Sequence, residues 1–257
     1  MLFNFSSDLL SDDYSTKISL KCKKNAGPIG VTIDTERSSS GALSSKVGTK
    51  FVYSGVSFDK VRINADGGHV LESSLKPCTG CKVSFKGSKG ADLGIDYVKG
   101  ALFSTAKVDV KDMSKLSTTA CMNVGSGITI GGAAGFNLDG KAPTISSKSI
   151  GGAKDFGPLS LSATYSSALN VSALYKANDN LTLASSTTHS SKEPLAAFTV
   201  GCAYKAPVGT FKAKFSNGGS ISACVIKEIA PKVTLTATGA VSNCDPATFK
   251  YGLGIVM

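Results

Sequence analysis

The 257 residues carry 28 Lys and Arg against 18 Asp and Glu, a formal charge of +10, with 28 Gly and no Trp. Mean hydropathy is only +0.10 although 42% of residues are hydrophobic, so the apolar material is dispersed. No window reaches 18 consecutive apolar residues, which excludes an ordinary transmembrane helix but not a membrane barrel, whose strands need about 10 residues of alternating character.

The first stretch, MLFNFSSDLLSDDY, has neither the basic n-region of a secretory signal nor an Arg-rich presequence pattern, so any membrane address is expected elsewhere. Leu2, Phe5 and Leu9 share one helical face with Asp8 and Asp12 opposite. That spacing predicts an amphipathic helix over residues 2–12, inside an N-terminal segment of residues 1–14.

From Ser15 onward the chain reads as short alternating runs separated by Gly, Asn, Asp or Pro. Lys17 to Lys23 sets Ile18, Leu20 and Cys22 on one face, Leu159 to Tyr165 does the same with Leu159, Leu161 and Ala163, and Lys232 to Val241 with Val233, Leu235 and Ala237. Turn signals divide residues 15–257 into nineteen segments of roughly 13 residues, the length of a membrane strand plus a tight turn. The reading is all-β: a transmembrane β-barrel of about nineteen strands with a short N-terminal helix. The last run, FKYGLGIVM, alternates Phe249, Tyr251, Leu253, Ile255 and Met257 with Lys250, Gly252 and Gly254, and would be a bare strand edge in a soluble protein.

Which face points where follows from cost. A Lys on the lipid side near the bilayer midplane costs about 2–4 kcal/mol and little in a wet lumen. The charged parity is therefore expected inside. In the first half of the chain this places Lys17, Lys21, Lys23, Lys46, Lys50, Lys82, Lys86, Lys107 and Lys111 on the inner wall, joined by Asp34, Glu36, Asp92, Asp96 and Asp109. In the second half it places Lys148, Lys212, Lys214, Lys232 and Lys250 there. Such a wall attracts anions. The competing reading, a soluble β-sandwich with solvated lysines, would need an unusually large core.

Chemistry-bearing motifs are sparse. Cys78 and Cys81 have thiol-redox or zinc spacing but no second pair, and three-residue spacing within one strand predicts thiols on opposite faces. Seven scattered Cys argue against a disulfide framework. The Gly-rich run Gly125 to Gly135 does not join a strand to a helix, and no catalytic constellation stands out. No metal, cofactor or enzymatic activity is expected. No Lys/Arg cluster interleaves with aromatics, so a nucleic-acid partner is not expected either.

The stretch from Tyr204, with Pro207, Phe211, Ala213, Lys214, Phe215, Ser216 and Asn217, resembles the signature region of the mitochondrial porins, the voltage-dependent anion channels. Pro231, Lys232, Thr234 and Leu235 continue the likeness, although the acidic residue usual before Pro207 is missing. The resemblance implies a nineteen-strand barrel with a parallel closing pair, a helix held in the pore, and diffusion of anions and small metabolites, adenine nucleotides included, across the mitochondrial outer membrane. It further implies nucleotide contact at Gly80 and Lys82, and an assembly signal in Lys250, Gly252, Ile255 and Met257 read by the outer-membrane assembly machinery. Membrane lipid is then a partner, and a homo-oligomer is compatible with the family. The related protein-import pore shares the fold but usually has a longer N-terminal extension. In the fourth strand, the acidic lipid-facing position of the family falls on either Asp59 or Lys60.

Overall fold

Two adjacent rows across the first four strands show why these residues form a sheet. Lys21, Asp34, Lys46 and Asn64 are cross-strand neighbours, and so are Cys22, Ile33, Val47 and Ile63. Successive residues of a strand point to opposite faces, so the polar row lies on one side of the wall and the apolar row on the other.

The computed structural model describes residues 7–111, 113–138, 142–190 and 197–257. Its strands are β1 Ile18–Ala26, β2 Ile29–Arg37, β3 Leu43–Tyr53, β4 Val56–Asn64, β5 His69–Cys78, β6 Cys81–Gly87, β7 Ala91–Lys99, β8 Leu102–Asp109, β9 Lys115–Gly125 and β10 Ile128–Asn137. They continue as β11 Thr144–Phe156, β12 Leu159–Tyr165, β13 Leu169–Lys176, β14 Leu181–His189, β15 Ala197–Ala206, β16 Gly209–Ser216, β17 Ser220–Ala230, β18 Val233–Val241 and β19 Lys250–Val256. All nineteen expected segments are present.

Each strand pairs antiparallel with the next, and β19 returns to β1 in parallel, from Ile18 opposite Leu253 to Lys21 opposite Val256. An odd number of hairpin-linked strands leaves the first and last running the same way, so the seam has to be parallel. Closure removes every free edge and satisfies the ladder without water, as hydrocarbon requires. Tight hairpins do the linking: Ser54 and Gly55 both take positive φ (49° and 79°), matching the twist of β3 and β4.

The apolar face is the exposed one. Ile33, Val47 and Ile63 are 47%, 50% and 63% accessible. An apolar belt of this extent would drive association in water, whereas lipid solvates it. Outward Tyr53, Tyr175 and Tyr204 lie near one end of the barrel, and Tyr165 and Tyr251 near the other, as in the aromatic girdles of membrane barrels.

Of the expected helix over residues 2–12, residues 1–6 lie outside the described residues. The described part is one turn, α1 Ser7–Leu10, followed by a turn over residues 11–13 in which Asp13 takes φ 70°.

Candidate pore lumen

The inner face is marked by what packs on it. Leu9 and Leu10 are buried against Ala184 of β14, with Leu174 and Ala203 alongside. The wall is small there by necessity, since a Cβ at Gly201 would lie 2.7 Å from a Leu10 methyl. Lysines complete the dock: Lys212 Nζ donates to Asp13 at 2.6 Å and Lys214 Nζ to the Leu10 carbonyl at 2.7 Å. The Lys214 ammonium also sits 4.3 Å from the centre of the Tyr14 ring. The Tyr14 hydroxyl donates to the Leu9 carbonyl at 3.0 Å, and burial pushes its pKa above the ordinary 10.0, so it stays a donor at neutral pH.

Beyond Tyr14 the chain crosses the inner face of β18 and β19 to reach β1. Thr238 Oγ1 donates to the Ser15 carbonyl, and a Cβ on Gly252 would collide with that same oxygen. Gly252 is therefore a close-approach position in the fold, whatever else it does.

A second region of the inner face is open and basic. Lys21, Lys23, Lys46, Lys50, Lys60 and Arg62 line a recess of about 220 Å³ on β1–β4, opposed by only two carboxylates, Asp34 and Asp59. Glu36 bridges Lys17 and Lys46 at 3.2 and 3.3 Å, just outside it. Among the described residues, Lys21, Lys23, Lys50, Lys60 and Arg62 make no ion pair, and Arg62 Nε is buried without a hydrogen-bond partner. Uncompensated cations around a concave wall raise the local concentration of anions.

Across β4–β8 the charges balance. Lys82, Lys86 and Lys107 share a recess of about 300 Å³ with Asp59, Glu72 and Asp92. Lys86 reaches Glu72 at 3.5 Å, Lys82 lies opposite Asp96 and 4.0 Å from Asp59, and Asp109 stands opposite Asp92. Gly80 occupies the β5–β6 turn with φ 83°.

Several sequence expectations need correction. Lys148 faces lipid, not the lumen: it is paired with Ala134, in the same parity as Ile150, which is 69% accessible. Lys111 and Lys232 lie in turns at the rim and not on the wall. Lys250 keeps the inner parity opposite Ala240, and Ile255 points out opposite Leu235. Met257 ends the seam through backbone bonds to Lys21 and Lys23. Cys78 and Cys81 flank the two-residue turn Thr79–Gly80 and are directly opposed, so they share a face. Spacing within one strand was the wrong geometry for residues on either side of a hairpin turn.

The sequence reading missed Lys60 and Arg62 because β4 is bulged. Its register slips between Phe58 and Lys60, opposite a slip between Thr49 and Phe51 in β3. The extra residue turns both Asp59 and Lys60 inward: Asp59 accepts from Ser57 and Ser74, and Lys60 lies opposite Glu72. Neither is the lipid-facing acid of the family pattern. Phe51 and Phe58 stack outside the bulge, centroids 4.7 Å apart.

A family model described as eukaryotic porin matches residues 4–254. Among solved structures, the chain is similar to a triple mutant of Rh. blastica porin at 10% identity and a TM-score of 0.52, covering 91% of this chain and 94% of that one. Another Rh. blastica porin mutant matches at 14% identity and a TM-score of 0.50, over 86% and 89% of the two chains. At these identities the likeness concerns the barrel fold. Comparison with curated protein sequences finds no match.

Proposed function

As the chain belongs to the eukaryotic porin family and forms a transmembrane β-barrel, a pore-forming channel of an outer membrane, we propose that it is a voltage-dependent, anion-selective channel of the mitochondrial outer membrane. It passes anions and small metabolites, adenine nucleotides among them, by passive diffusion. The observation that carries this reading is the β1–β4 recess, six cations against two carboxylates on a concave inner wall. Lys82 and Gly80 contribute less to nucleotide contact in this reading, because carboxylates match the charge around them.

The test is a planar bilayer held in a salt gradient. A reversal potential of the sign that marks anion preference is expected from the unmodified protein. Cation preference there would overturn the proposal. Voltage dependence is assigned to the N-terminal segment docked through Lys212 and Lys214, and unchanged gating after deletion of residues 1–13 would refute that assignment. Recognition of Lys250, Gly252, Ile255 and Met257 by the assembly machinery is part of the same proposal and is read from import of carboxyl-terminal variants into isolated mitochondria.

A further inference from the structure

On β8–β10 the outer wall is lined by small residues between bulky banks. One cross-strand row there runs Tyr97, Ser104, Ala120, Gly132, Ile150, and the next runs Ile95, Ala106, Thr118, Ala134, Lys148. In both rows the three central residues are small and the flanking ones large. The result is an outward groove of about 950 Å³ whose banks stand four strand spacings apart, about 19 Å. Leu102, Met122 and Ile130 close it at one end, and Val108, Leu116 and Phe136 lie across the other.

Lys148 takes the outward parity beside the groove, opposite Ala134 of its floor, and is one of five outward lysines with Lys24, Lys99, Lys154 and Lys227. It is exposed and has no ion pair among the described residues. It lies two residues beyond Ile150, where pairing with β12 ends opposite Tyr165, so it stands past the neighbouring hairpin at the edge of the hydrocarbon. A lysine stem there lies along the apolar wall while the ammonium reaches the headgroup layer.

We propose that this groove holds an anionic phospholipid, with an acyl chain over the small residues and the phosphate against Lys148. A second copy of the chain is the less suitable occupant. Every described carboxylate within a strand, from Asp34 on β2 to Asp155 on β11 and Glu228 on β17, takes the inward parity, so another barrel offers Lys148 no counter-charge from its lipid face.

The full chain refolded in detergent micelles and examined by native mass spectrometry tests this, with phosphatidylglycerol and phosphatidylcholine of identical chains as probes. Preferential retention of phosphatidylglycerol is expected. Lys148→Gln should lower that adduct about fivefold, the loss expected for one lysine near an anionic surface, and leave phosphatidylcholine unchanged. Lys148→Arg should keep the adduct. Ala120→Phe, which fills the floor, should lower it without touching the charge. An excess of inorganic phosphate should not displace the lipid. Equal retention of the two lipids, an unaffected Lys148→Gln or Ala120→Phe variant, an equal loss in Lys154→Gln, whose lysine lies elsewhere on the outer face, or displacement by phosphate would each overturn the proposal. Failure here leaves the channel reading untouched, since no lumenal residue is involved.

Discussion

Two stretches of the same inner wall carry lysines and use them differently. On β16, Lys212 and Lys214 are committed to the N-terminal segment, through a carboxylate, a carbonyl and an aromatic ring. On β1–β4, Lys21, Lys23, Lys50 and Lys60 stand around an open recess with no ion-pair partner among the described residues. Inward parity alone therefore does not define a selectivity residue. What matters is whether the charge is already met, because a matched charge contributes little to the field a passing anion experiences.

The largest effect should come from reversing that field. Lys21→Glu, Lys50→Glu and Lys60→Glu together leave three cations against five carboxylates around the recess, and the reversal potential should move from anion preference to neutrality or beyond. A sharper comparison removes one charge at a time. Lys50→Gln should reduce anion preference more than Lys212→Gln, because the latter cation is neutralised by Asp13. Equal shifts would mean that the lumen averages its charges and that the distinction between the two stretches has no functional weight.

Next in size is the crossing at Gly252. A side chain there meets the Ser15 carbonyl, which is backbone and cannot rotate away. Gly252→Ala should destabilise the barrel by about 1–3 kcal/mol, the usual range for overpacking, read as a lowered urea midpoint in lipid vesicles. Removing residues 1–16 in the same variant takes away both backbone neighbours, Ser15 and Thr16, and should restore most of the loss. Gly254→Ala, whose nearest neighbour would be the Ser19 hydroxyl at 3.2 Å, should cost less.

Alternation made the barrel legible from sequence. Ile33 and Asp34, or Leu235 and Thr236, state their faces by chemistry alone, and turn residues divide the chain into the nineteen strands that form. Parity failed where the register slips. In TISSKSI, Ile145 and Ile150 are an odd number of residues apart and yet both face out, because the β10–β11 ladder shifts beside Phe136. Carrying the charged parity through this run without the shift then put Lys148 on the wrong face. The β4 bulge hid Lys60 and Arg62 for the same reason. The docking of Asp13 on Lys212, 199 residues away, has no sequence signal, since it depends on where the closed wall brings β16 relative to the N-terminal segment.

The smallest predicted effect lies inside that dock. Tyr14 acts twice, donating to the Leu9 carbonyl and presenting its ring to Lys214. Tyr14→Phe removes the first contact alone, about 1 kcal/mol for a hydrogen bond. Tyr14→Leu removes the ring as well, adding roughly 0.5–1 kcal/mol for a partly exposed cation–π contact. Hydrogen exchange of the backbone amides over residues 7–13 should rise modestly in the first variant and further in the second, with the β1–β4 strands unaffected. The raised Tyr14 pKa adds a pH signature. Docking favours the protonated phenol, so its contribution is complete below pH 10 and falls as pH rises from the ordinary value of 10.0 toward the raised one. Tyr14→Phe should lack that alkaline loss, which assigns it to the hydroxyl.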